Sequence, residues 1–86
     1  MKEKIFKLLE LLFMAKQKGI DVFFNYSSHV EVIRICICLK GWYENYEYDK
    51  HFELYLDEKD AEKKADEAIK YFEKIIRLKE EEKNNE

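Results

Sequence analysis

The sequence predicts an α+β fold of order α-β-β-β-α, a three-stranded antiparallel sheet with two helices packed on one face. Three observations carry it. Apolar residues recur at three- and four-residue spacing over residues 3–18. From Ile20 to Leu56 the period falls to two. Beyond Asp57 the helical period returns as a narrow stripe.

The first helix rests on Ile5, Leu8, Leu9, Leu12, Phe13 and Ala15. Lys16 and Lys18 sit in its last turn, where cations suit the negative pole of the helix dipole. Gly19 is a natural left-handed residue past the end, and Ile20 can fold back as its hydrophobic contact. Phe6, Leu11 and Met14 fall outside the main stripe, which calls for a second layer or a partner.

In the first strand, Ile20, Val22, Phe24 and Tyr26 alternate with Asp21, Phe23 and Asn25. Asn25 to His29 reads as the turn, and Val30 to Lys40 as the second strand. In that strand Ile33, Ile35, Ile37 and Leu39 point one way, and Val32, Arg34, Cys36, Cys38 and Lys40 the other. Phe52, Leu54 and Leu56 alternate with His51, Glu53 and Tyr55 in a third strand. Gly41 to Lys50 would extend the last two strands as a twisted hairpin closing near Glu47 to Asp49. Asp57 to Asp60 supplies an N-cap and an acidic first turn. Ala61, Ala65, Ala68, Ile69, Phe72, Ile75 and Ile76 then carry a helix to about residue 80. One domain over residues 1–80 and a charged, frayed tail over 81–86 account for the 86 residues.

With the isoleucines as core, the opposite sheet face carries Phe23, Asn25, Val32, Arg34, Cys36, Cys38, His51, Glu53 and Tyr55, covered by nothing else in the chain. Charge and aromatics divide by element. Residues 1–20 carry net +3, residues 21–56 net −3 and residues 57–86 net −3. The sheet segment holds nine of the thirteen aromatic residues. Aromatics interleaved with carboxylates suit a protein-binding surface, because Tyr and Trp are typical interface anchors. The expected partner-binding set is therefore Trp42, Tyr43, Glu44, Tyr46, Glu47, Tyr48 and Asp49 in the hairpin, with Phe23, Arg34 and Tyr55 on the adjoining sheet face. The competing reading packs the same tyrosines as cross-strand pairs of a long hairpin.

Catalytic and metal chemistry find little purchase. Ser27-Ser28-His29 has no orienting acid, and adjacent side chains seldom face each other. Cys36-x-Cys38 with His29 and His51 misses the spacing of a zinc knuckle, so the thiols are read as free and reduced. Only Gly19 and Gly41 are glycines, too few for a phosphate-cradling loop. No enzyme activity, no cofactor and no metal are expected. The run from Ile5 to Ala15 is too short and too charged to span a bilayer, which with the absence of a cleavage site points to the cytoplasm. The element order is also that of the double-stranded-RNA-binding domain. That family grips phosphates from the start of its last helix, and here Asp57-Glu58-Lys59-Asp60 is acidic, so nucleic acid is an unfavoured partner.

Asn25-Tyr26-Ser27-Ser28-His29-Val30, then Gly41-Trp42, then Leu56-Asp57-Glu58 leading into the Ala-rich helix, resemble small proteins encoded by phages and prophages of low-GC Gram-positive bacteria. Size and acidity are also similar to those of anti-CRISPR proteins. The resemblance implies a non-enzymatic inhibitor in the host bacterial cytoplasm, blocking a Cas nuclease or another host defence protein through its acidic, aromatic sheet surface. It carries over no site residue. Two other readings stay open from the residues. One is a small homo-oligomeric structural module, a homodimer through the open sheet face or through Phe6, Leu11 and Met14. The other is a nucleic-acid or nucleotide binder using Arg34, Lys40 and stacking aromatics.

Overall fold

A computed structural model describes residues 1–42, 44 and 47–84. Helix α1 spans Lys2–Gln17, strands β1, β2 and β3 span Asp21–Ser27, Val32–Cys38 and Lys50–Tyr55, and helix α2 spans Ala61–Asn84. The α+β fold of order α-β-β-β-α is the predicted one. The sheet has the order β1-β2-β3 and is antiparallel throughout.

Helix α1 ends as its sequence predicts. Gly19 takes φ +81°, its amide donates to the Lys16 carbonyl, and the Ile20 amide donates to the Ala15 carbonyl. These two bonds satisfy the last carbonyls and turn Ile20 into the core, where it is fully buried.

The register places Val22 opposite Ile37, Phe24 opposite Ile35 and Tyr26 opposite Ile33, while on the other side of β2 Phe52 lies opposite Ile35 and Leu54 opposite Ile33. This face carries the core. Ile33, Ile35, Ile37 and Leu54 are buried with Leu8, Leu11 and Ala15 of α1 and Ala65, Ala68 and Phe72 of α2. Helix α1 lies beside β1 and α2 beside β3, and the two helices contact each other along their length. Tyr71 of α2 meets Phe52 edge-on at 5.7 Å, with the Lys50 ammonium over both rings.

The ion pairs show that the helices run parallel. The N-terminal ammonium lies 3.4 Å from Glu62, Lys4 3.0 Å from Asp66 and Lys18 3.5 Å from Glu80. The basic first segment and the acidic last one thus meet at the surface, along the seam between the two helices. The Asp66 carboxylate, accepting a hydrogen bond from Lys4, raises the Lys4 pKa.

Several boundaries differ from the sequence expectation. Strand β1 continues through Ser27, and Ser28 to Glu31 form the turn, so Val30 lies in the turn and not in the second strand. Glu31 closes the turn with φ +52°, and its carbonyl accepts the Leu56 amide at 2.9 Å, tying the turn to the end of β3. The predicted hairpin extension is absent among the described residues: β2 stops at Cys38 and β3 starts at Lys50. Within α1, Leu11 belongs to the core and Phe13 is 70% exposed, the reverse of the predicted stripe. The physical reason is that α1 packs against α2 as well as the sheet, which rotates its buried face toward Leu8, Leu11 and Ala15. A dimer contact through Leu11 is therefore excluded, because α2 already covers it. Helix α2 also runs past residue 80 to Asn84, taking in most of the expected tail.

Candidate functional site

The sheet face turned away from the helices is built in cross-strand rows. Asp21 stands beside Cys38, Phe23 beside Cys36 and His51, Asn25 beside Arg34 and Glu53, and Ser27 beside Val32 and Tyr55. No helix covers it, yet it is not uniformly open. Val32 and Cys38 are buried, whereas the sequence reading left both exposed. The loop after β2 accounts for Cys38: its thiol donates to the Glu47 carbonyl at 3.5 Å, and burial pushes its pKa up.

That loop is fastened at both ends by carboxylates. The Leu39 amide donates to Asp49 Oδ2 at 2.7 Å, and the Asp49 amide donates to the Ile37 carbonyl at 2.8 Å. The Trp42 amide donates to Asp21 Oδ2 at 2.7 Å, and Lys16 reaches Asp21 Oδ1 at 3.0 Å. The Trp42 amide and then the Lys16 ammonium hold the Asp21 carboxyl below its ordinary range. Gly41 permits this approach. It takes φ +85°, a left-handed backbone conformation that glycine adopts without strain. Asp21 therefore joins the end of α1, the start of β1 and the start of the loop.

The fastening brings two loop aromatics onto the sheet. Trp42 meets Phe23 edge-on at 6.4 Å, and Tyr48 meets His51 edge-on at 5.0 Å. All three apolar-bodied rings stay wet: Trp42, Phe23 and Tyr48 are each about half exposed. Below them Arg34 Nε lies 3.5 Å from Glu53, and the Tyr55 hydroxyl donates to Glu53 at 2.8 Å. Those donors, Tyr55 foremost, lower the Glu53 pKa, and the carboxylate raises that of Tyr55.

Of the residues expected at the site, Phe23, Arg34, Trp42, Tyr48 and Tyr55 are thus brought to one face. Glu44 and Glu47 are exposed in the loop that borders it. Asp49 is built into the loop by its bond to Leu39. Tyr43 and Tyr46 lie outside the described residues. The sequence reading missed Asp21 and His51 as members of the site. The signal for Asp21 was the pair of glycines, both with positive φ in the structure, that bring residues 19–21 and 41–42 together.

Cys36 and Cys38 share this face, but His29 sits in the turn at the opposite end of β2 from Cys38. Among the described residues no group of three or more His, Cys, Asp or Glu is placed to hold a metal ion. No described helix is long and apolar enough to cross a membrane. No family model, no curated protein and no solved structure matches the chain.

Proposed function

We propose that this protein is a non-enzymatic, protein-binding inhibitor or adaptor whose contact surface is the aromatic sheet face. One observation carries the reading: two aromatics of a loop, Trp42 and Tyr48, are held against Phe23 and His51 with about half of Trp42 and Tyr48 left in water. An aromatic whose only role is packing is drawn into the core, as Phe72 is at 1% exposure. Rigidly placed, half-exposed aromatics supply contact area at small entropic cost and serve as interface anchors.

The bordering carboxylates Glu44 and Glu47 favour a basic partner surface. A nucleic-acid-binding groove is such a surface, with carboxylates taking the places of phosphates. The short-motif resemblance to phage proteins extends the proposal to a nuclease of a host defence system, a Cas nuclease among them.

The test is capture of partners on immobilised protein from the lysate of a CRISPR-bearing host, followed by titration of the captured nuclease. Trp42→Ala should weaken binding by about 2 kcal/mol or more, roughly thirtyfold, as truncation of an interface anchor does. Unchanged affinity in Trp42→Ala and Phe23→Ala, with both variants folded, would overturn the proposal.

A further inference from the structure

We infer that the outer edge of β1, with the exposed stripe of α1 beside it, is the self-association surface of this protein, and that its occupant is a second copy of the chain. The inference rests on the strand edge and α1, which share only Phe23 with the proposed partner face, and it stands without that reading.

The two edges of the sheet are unequal. β3 carries Lys50 and Glu53, charges of the kind that discourage strand addition. β1 is seven residues long, has no Pro, and after Asp21 runs Val22-Phe23-Phe24-Asn25-Tyr26-Ser27 without a charge, in a chain that is 41% charged. Among the described residues no strand, helix or loop backbone bonds its outer edge. An uncharged, aromatic, β-prone segment left on an edge is an aggregation hazard unless something closes it.

Helix α1 extends the same apolar surface. Ile5 and Leu9 line a groove with Phe24 and Tyr26. Phe6 and Phe13, at three- and four-residue spacing from Leu9, continue the stripe at 57% and 70% exposure. With Tyr26 they leave about 350 Å² of aromatic surface in water. A standard interface needs about 800 Å² per partner. The strand edge, Leu9, Val22 and the Lys stems adjoining them are the surface available for the remainder.

A two-fold antiparallel pairing of β1 with itself is self-complementary. Centred on Phe24, it sets Phe24 opposite its mate, Val22 opposite Tyr26 and Phe23 opposite Asn25, so no like charges oppose one another. An isologous contact of this kind closes after two copies, where a head-to-tail contact would continue. The resulting six-stranded sheet carries both aromatic faces on one side.

The experiment is sedimentation equilibrium of the whole chain over a dilution series, with amide exchange on the same samples. The expected mass is twice the 10.6 kDa of one chain, with exchange at residues 22–26 slowing as concentration rises. Tyr26→Lys and Phe13→Glu, each at an exposed position, should weaken the dimer by at least about tenfold, while Lys63→Glu on the exposed side of α2 leaves it unchanged. A monomer at all concentrations would overturn the inference. So would a dimer that survives both variants, or concentration-independent exchange over residues 22–26. That last readout needs no variant, so the test does not depend on any mutant folding.

Discussion

Asp21 does more for this molecule than its exposed position suggests, because its two carboxylate oxygens hold Lys16 and the Trp42 amide. Its lowered pKa has a direct consequence. A carboxyl with a folded pKa below its unfolded value of about 3.9 stabilises the fold above that value and loses the contribution as pH falls through the folded pKa. The chain has one Trp, so its emission reports on this one site. Emission should hold steady to about pH 4, then shift to the red in more acidic solution, before far-UV circular dichroism is lost. Asp21→Asn should remove that step. A residue-scale strain also sits at Glu31, whose φ of +52° disfavours a side chain. Glu31→Gly should raise stability by about 0.5–1 kcal/mol in urea unfolding. Neither residue stood out in the sequence. Asp21 reads as one more alternating polar position of a strand, and the left-handed residue of the turn is a Glu where Gly or Asn would have signalled it.

At the scale of elements, the helices show what periodicity can and cannot fix. Gly19 and Ile20 announced the end of α1 because that cap depends on local backbone chemistry alone. The buried face of α1 was not legible to the same degree. It turns on whether a second helix lies alongside, and only the tertiary arrangement decides that Leu11 is covered and Phe13 is not. The opposite net charges of residues 1–20 and 57–86 are partly used between the helices, as Lys4–Asp66 and Lys18–Glu80. Those pairs are solvent-exposed, so Lys4→Ala should lower the melting temperature only slightly, and the loss should shrink with added salt. Ala68, fully buried in the core cluster shared by both helices and the sheet, is the sterically sensitive position. Ala68→Leu should lower stability by about 1–3 kcal/mol through overpacking, seen as a reduced melting temperature.

Over the whole molecule, one sheet has two faces with different work. The core face was readable from Ile33, Ile35 and Ile37 alone, since a one-residue slip would have sent all three to water. Ile35→Asp should unfold the protein, because it would bury an unpaired carboxylate where Ile35 is 1% exposed. The other face was readable as a candidate partner-binding set, but the contacts that join the loop to the sheet were not. Strand pairing gathers Phe23, Arg34, His51 and Tyr55, but Trp42 and Tyr48 join them only through the bonds of Asp21 and Asp49, long-range contacts with no sequence period. We propose that this second face binds a partner. Its most direct test is amide exchange of the protein alone and in complex with the partner captured from host lysate. New protection is expected over residues 34–36, 42 and 48–55, with α2 unchanged. New protection confined to the outer surfaces of α1 and α2, with residues 42 and 48–55 exchanging as in the free protein, would contradict it.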